Sequence, residues 1–353
     1  MSTYDRLRDL PLVVEEYALE GLKTRLSGGL ERLTTVIELR GAGDIGLGED
    51  VTYEAELQRA FASGGARLPL AGRHTLDSFS RLVGSADTFG HPPEREEYRS
   101  YRRWGFESAA LDLGLRQAGM SLADALGREP RPTMFVVSMR LGDPPSIEPL
   151  EALVRRFPWM RFKLDATSDW TDELASALAT TGRVETIDFK GAYSGTPVDQ
   201  PPDRLLYRRI VETFPHAWLE DPGQSSETDE IIAPFMDRVT WDAPLHSVDD
   251  IRNLRHKPRI INVKPSRFGS VRMLCDVYDH CAHEGIRAYG GGQFELGPGR
   301  GQIQYLAALF HPDGPNDVAP AGFNKPEPPA GLPKSPLPPP NASHGFRREE
   351  RMR

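Results

Sequence analysis

MRFKLDATSDWTDELASALATTGRVETIDFK, residues 160–190, reads as one strand–helix–strand unit. Its two ends, 160–165 and 184–190, are short runs rich in apolar and β-forming side chains, and Asp172–Ala179 between them has helical spacing. The same rhythm extends in both directions. Apolar runs recur at 134–140, 216–220, 238–242, 259–264 and 286–290, with a weaker one at 317–319, and helical segments such as Glu148–Arg156, Pro202–Thr213 and Ser270–Glu284 separate them. Eight βα units spaced about 20–30 residues apart predict an α/β fold, a parallel (β/α)8 barrel over 132–324. A doubly wound open sheet is the alternative. Residues 1–131 precede it as a smaller α+β domain. There, 11–20 and 31–40 alternate like strands, joined through Ser27-Gly28-Gly29. A Gly-rich turn follows from Gly41 to Gly48, Thr52 reads as the N-cap of a helix to Ser63, and a long helix spans Arg99–Ala118. Residues 325–353 are rich in proline and charge and predict a disordered or extended tail, with an arm docked on a neighbouring subunit as the alternative.

Composition narrows the function. The chain has 353 residues, 39% hydrophobic and 27% charged, which is an ordinary globular balance. No apolar run reaches the ~18 residues of a membrane helix. The opening residues Met1 to Arg6 lack the apolar core of a signal peptide, so the expectation is cytoplasmic. Net charge is −8, which argues against nucleic acid or an anionic membrane as partner. Cys275 and Cys281 lie on one predicted helix and read as small buried hydrophobes, with His280 and His283 too close in sequence to complete a zinc site.

Charged residues gather at the strand ends. Lys163 and Asp165, Asp188 and Lys190, Glu220, Asp242 and Lys264 all fall at or near the C-terminal ends of successive strands, the rim where barrel active sites form. Buried charge is costly unless paired or metal-bound. Asp188, Glu220 and Asp242 sit on three consecutive strands. Any one of them alone reads better as a helix cap or a lysine partner; three in register suit Mg²⁺, with Mn²⁺ as the alternative ion.

These segments resemble the enolase superfamily, nearest its muconate-cycloisomerase and o-succinylbenzoate-synthase-like branch. The resemblance is carried by ERLTTVIELRGAGDIGLGED (31–50), FESAALDLGLRQAGMSLADALGR (106–128), FKLD (162–165), IDFKG (187–191), WLEDP (218–222), TWD (240–242), NVKPSRFGS (262–270) and GGGQFELGPG (290–299), and covers roughly 10–324. It implies an N-terminal capping domain and a metal held by Asp188, Glu220 and Asp242. It also implies removal of the proton α to a carboxylate on a small molecule through a stabilised enediolate, by a lyase or isomerase. An acid-sugar dehydratase, a racemase or epimerase, and a non-catalytic ligand-binding relative are the rival readings. Members often assemble, so a homo-oligomer is an expectation of the resemblance alone.

By motif, Lys163 matches the first lysine of the family's Lys-x-Lys, Lys264 the lysine of the sixth strand, and Glu295 an acid of the loop after strand seven. The sequence departs from the pattern at two places. The second lysine, usually the catalytic one, is Asp165, and an Asn two past the first metal acid is Lys190. Asp165 and Lys190 are expected side by side on neighbouring strands. One reading makes Lys264 the base and Lys190 a protonated electrophile; the other is an inert Asp165–Lys190 pair. The backbone of Gly290-Gly291-Gly292, with Gly297, Gly299 and Gly301, reads equally as a receiver of an anionic substrate group or as glycines that only allow tight turns, and Gly292 and Glu295 are expected to line the substrate site. Loops 22–30 and 44–54 are expected to close over it, and Arg267 and Arg300 are solvated or bind a second anion. Gly41-Ala42-Gly43-Asp44-Ile45-Gly46 spells a dinucleotide fingerprint, but Gly48 breaks the helix that such a site needs.

Overall fold

The structure is a computed structural model of the chain, and it describes residues 1–27, 29–64, 68–193 and 198–348. The N-terminal domain holds strands β1 (Pro11–Val14), β2 (Glu16–Arg25), β3 (Glu31–Gly41), β4 (Asp44–Asp50) and β5 (Gly72–Thr75), with helices α1 (Ala55–Ala62), α2 (Leu76–Ser85), α3 (Glu97–Gln117) and α4 (Leu122–Leu126). The barrel domain holds β6 (Val137–Met139), β7 (Phe162–Asp165), β8 (Val184–Asp188), β9 (Trp218–Glu220), β10 (Val239–Thr240), β11 (Ile260–Val263) and β12 (Arg287–Gly290). Its helices are α5 (Glu148–Arg156), α6 (Asp172–Thr180), α7 (Arg204–Thr213), α8 (Ser226–Ile232), α9 (Val248–Asn253), α10 (Pro265–Phe268), α11 (Val271–Glu284) and α12 (Pro298–Phe310). No helix among the described residues is long and apolar enough to cross a membrane.

Strands β6 to β10 form one parallel sheet in chain order, and β11 pairs with β12 in parallel. Two seams close them into a ring. The Asn262 amide donates to the Trp241 carbonyl at 3.0 Å, joining the β10 side to β11. Residues 316–318 act as the eighth strand: Asp317 N donates to Gly290 O at 2.8 Å, and Val136 N to Asn316 O at 2.9 Å. The ring excludes the open-sheet alternative. Register sets the rim, because Asp165 pairs with Asp188 and Asp188 with Glu220, so the charged ends of β7, β8 and β9 stand level.

In the capping domain β2, β3 and β4 form an antiparallel meander, with Tyr17 opposite Leu39 and Leu19 opposite Ile37. Four expectations are corrected here. Residues 11–20 are two strands, since β1 leaves to pair with β5. The span 44–48 is strand: only Ala42 and Gly43 turn, and Gly46 and Gly48 lie against α3, where a Cβ would meet Ala109 O at 2.2 Å and Gly105 O at 2.0 Å. It is therefore no loose flap over the barrel. Thr52 caps no helix, because α1 begins at Ala55 and the Thr52 hydroxyl donates to Asp50 at 2.8 Å. Gly28 of the predicted hairpin turn lies outside the described residues.

The fourth correction concerns the tail, which is packed as far as the structure describes it. Thr133 and Leu337 exchange backbone hydrogen bonds of 2.9 and 2.8 Å. Phe346 is fully buried against Trp104 of α3 and Tyr305 of α12, and its amide donates to Asp112 at 2.7 Å. Widely spaced apolar anchors hold the segment, and its prolines lower the entropy lost on ordering. The arm docks on its own chain. Cys275 and Cys281 are buried and unbridged on α11.

Candidate active site

Lys163 at the centre of β7 is buried, with its ammonium between Glu220 Oε1, with which it makes a short contact, and Asp188 Oδ2 at 3.1 Å. Burial alone would lower this ammonium; Glu220 and Asp188 outweigh it and hold Lys163 well above the lysine range. Asp188 is fully buried at the end of β8 and also accepts both the amide of Lys190, at 2.9 Å, and its ammonium. Burial would raise this carboxyl, but Lys190 and Lys163 keep it well below the usual range and ionised. Glu220, at the end of β9, accepts the Tyr289 hydroxyl on its other oxygen. Burial, opposed by Lys163 and reinforced by Asp188 and Asp242, pushes Glu220 up to about 8.

Asp221 was not singled out from sequence. Alternation along a strand points it away from Glu220. Its φ of +45° turns it back, and its carboxylate accepts the amides of Asp242 at 2.8 Å and Ala243 at 2.9 Å. Oxygens of Asp188, Glu220 and Asp221 all lie within 4.8 Å of one another. Burial together with Asp242 pushes Asp221 up to about 7. Asp242 stands at the same rim, faced by Lys264 Nζ at 2.7 Å, the Tyr193 hydroxyl at 2.8 Å and Arg267 Nε at 3.4 Å. Its Oδ1 is buried yet accepts no hydrogen bond. The four carboxylates offer only oxygen donors, and an acceptor is left over. That set fits a hard divalent cation such as Mg²⁺.

Lys264 is nearly buried and passes close to Gly291, where a Cβ would sit 2.7 Å from Lys264 Cε. Glycine at 291 thus makes room for the lysine. Lys190 has φ +55°, and its ammonium is also 3.4 Å from Asp165 Oδ1 and 4.9 Å from the Tyr193 ring centre. Asp165 and Lys190 therefore do meet across neighbouring strands. Arg267 is buried on Asp242, Tyr193 and the Ala243 carbonyl, unlike a solvated loop arginine. Arg300 pairs with Glu295 at 3.1 Å, and Glu295 Oε1 accepts the Gln293 amide at 2.7 Å beside Gly292.

The glycine-rich loop departs from expectation. The amides of Gly297 and Gly299 donate to Glu49 of β4 at 3.0 and 2.9 Å, and that of Leu296 at 2.6 Å. These donors are engaged by the capping domain rather than held ready for substrate. Glu49 clamps cap to barrel, a long-range partnership that no local motif announces.

Comparison with known proteins follows the same two-domain division. The N-terminal domain profile of the domain of unknown function DUF8230 matches residues 5–125, and its C-terminal domain profile matches 129–325. The chain belongs to the DUF8230 family. This DUF8230 protein is similar to the o-succinylbenzoate synthase of Bacillus subtilis (strain 168), 26% identical over 267 residues, 70% of this chain and 68% of that one. It is also similar to the N-succinylamino acid racemase of Thermus thermophilus, 27% identical over 330 residues, 90% of this chain and 84% of that one. Among solved structures, a member of the enolase superfamily from Listeria innocua superposes with TM-score 0.61 at 20% identity, over 88% of this chain and 85% of that one. The DUF8230 chain has the enolase-superfamily fold, a capping domain followed by a (β/α)8 barrel.

Proposed function

We propose that this protein is a divalent-cation-dependent lyase or isomerase that removes the proton α to the carboxylate of a small substrate. The observation that carries this reading is the convergence of buried Asp188, Glu220 and Asp221 within 4.8 Å, with Lys163 on one side and Lys264 on another strand end. Mg²⁺ is the proposed ion and Mn²⁺ its substitute; when bound it would stabilise negative charge developing on the substrate carboxylate. Asp188 and Glu220 would hold it. Asp242 is the proposed third ligand, because it stands at the end of the next strand and its Oδ1, though 3.4 Å from Arg267 Nε, accepts no hydrogen bond; Asp221, which converges with Asp188 and Glu220, is the alternative.

The chain's own groups divide the remaining work. Lys264 takes the proton at Nζ, positioned by Asp242. Lys163 fixes Asp188 and Glu220, and Lys190 adds positive charge at Asp188. Glu295 and Gly292 line the substrate side of the loop after β12. A racemase must remove a proton from one face and deliver one to the other. Asp165, an acid, stands where a second basic lysine would be needed, which favours one-base chemistry such as a lyase. The net charge of −8 argues against nucleic acid as a partner, and free buried thiols accord with a cytoplasmic setting. Self-association is left as a proposal from the family resemblance.

A panel of chiral carboxylates incubated in D₂O with Mg²⁺ tests the reading by mass spectrometry. Deuterium is expected at the α-carbon of one enantiomer without racemisation. Exchange into both enantiomers would favour a two-base racemase, and exchange into none would contradict the assignment.

A further inference from the structure

Lys190 is fastened to Asp188 at both ends. Its amide donates to Asp188 Oδ1 at 2.9 Å, and its ammonium contacts Asp188 Oδ2. The left-handed φ of +55° that permits this is unfavourable for a residue with a side chain, so the surroundings impose it. One carboxylate of the proposed metal site thus already carries a cation supplied by the chain. Lys163 touches the same oxygen, but it is almost fully buried, its other close acceptor, Glu220, is itself a proposed metal ligand, and the acceptor beyond those, Asp317, is 4.0 Å away. Lys190 differs because it has somewhere to go. Asp165 Oδ1 lies 3.4 Å from the Lys190 ammonium, is buried and accepts no hydrogen bond. Arg140, 3.4 Å from the other Asp165 oxygen, steadies that carboxylate. The Tyr193 ring, 4.9 Å from the ammonium, flanks it.

We propose that Lys190 is a built-in competitor for the divalent cation, occupying Asp188 until it gives way onto Asp165, so that the Asp165–Lys190 pair sets the metal affinity of the site. The proposal rests on the metal-site reading above. Two cations on one buried carboxylate repel strongly where little water screens them. Binding is therefore weakened by the ammonium and eased by an acid able to receive it. Asp165, standing where a second lysine would be expected, acquires a purpose: it is the resting place of a movable charge.

Calorimetric titration of the full chain with Mg²⁺ alone, and with Mn²⁺ alone followed by electron paramagnetic resonance, tests this without substrate. Lys190→Met keeps the length of the side chain and removes its charge; it should bind Mg²⁺ at least about tenfold more tightly than the native chain, because one opposing charge is gone. Lys190→Arg keeps the charge and should stay within about threefold of native. Asp165→Asn removes the receiving acid and should weaken binding by about threefold or more. Circular dichroism checks that each variant is folded, and Asp165→Asn tests the idea even should Lys190→Met fail to fold. If Lys190→Met binds no more tightly than native while native binds Mg²⁺, this proposal is overturned and the metal-site reading stands. If no chain, native included, binds either ion, both are overturned.

Discussion

Lys190 and Asp221 both carry left-handed backbone angles; strand alternation alone would misplace Asp221, whereas it puts Lys190 on the side of Asp188, where it is found. Each follows a strand-end acid and is swung by its φ toward the buried carboxylates. Asp221 then organises the end of β10 by accepting two successive amides. This separates a shaping role from a binding one. Asp242→Asn should abolish saturable Mg²⁺ binding, whereas Asp221→Asn, which still offers one acceptor oxygen, should weaken it by about tenfold or less, since a charge-assisted hydrogen bond is replaced by a neutral one. Calorimetry on the two variants checks the order; the reverse order would move the third ligand to Asp221. At this scale much of the candidate site could be read from sequence, because Lys163, Asp188, Glu220, Asp242 and Lys264 announce themselves as charges ending apolar runs. Asp221, Tyr193 and Tyr289 did not. Backbone angles and contacts across strands place those three side chains, and neither leaves a local pattern.

At the scale of elements, glycine was the main source of misreading. Gly46 and Gly48 suggest a turn when the rule is local, yet they sit in β4 so that α3 can press against the strand backbone. Gly48→Ala would place a methyl group 2.0 Å from the Gly105 carbonyl oxygen. Such overpacking should cost about 1–3 kcal/mol or more, read as a fall in the urea midpoint at unchanged slope. Gly43→Ala, in the open turn with φ +85° and nothing within 4 Å of its added Cβ, should lose only the smaller cost of a strained backbone. The weak eighth strand has a parallel explanation. Asn316 holds it through its side chain, which accepts from Gly290 N at 2.6 Å and donates to Met134 O at 2.8 Å, so three residues suffice where hydrophobicity alone predicts little.

The whole molecule is a barrel whose rim is covered by a cap, and two long-range devices join them. Glu49 grips the amides that begin α12, and the returning C-terminal arm lays Phe346 between α3 and α12. The barrel was readable because its repeat is periodic; the arm was not, because its composition resembles disorder and its partners Trp104, Asp112 and Thr133 lie more than two hundred residues away. Phe346→Ala should destabilise the fold by about 3–5 kcal/mol in chemical denaturation, a cost no disordered tail would show. Function belongs to this scale as well, since the acids and the lysine proposed to act on substrate come from separate strands and meet only when the ring closes. The most direct measurement is Mg²⁺-dependent deuterium incorporation at the α-carbon of a carboxylate substrate, compared between the native chain and Lys264→Ala. The account predicts exchange by the native chain that is lost on chelation, and a fall of about 10²–10⁴-fold in the Lys264→Ala chain with its melting temperature little changed. Exchange that survives both chelation and the loss of Lys264 would contradict it.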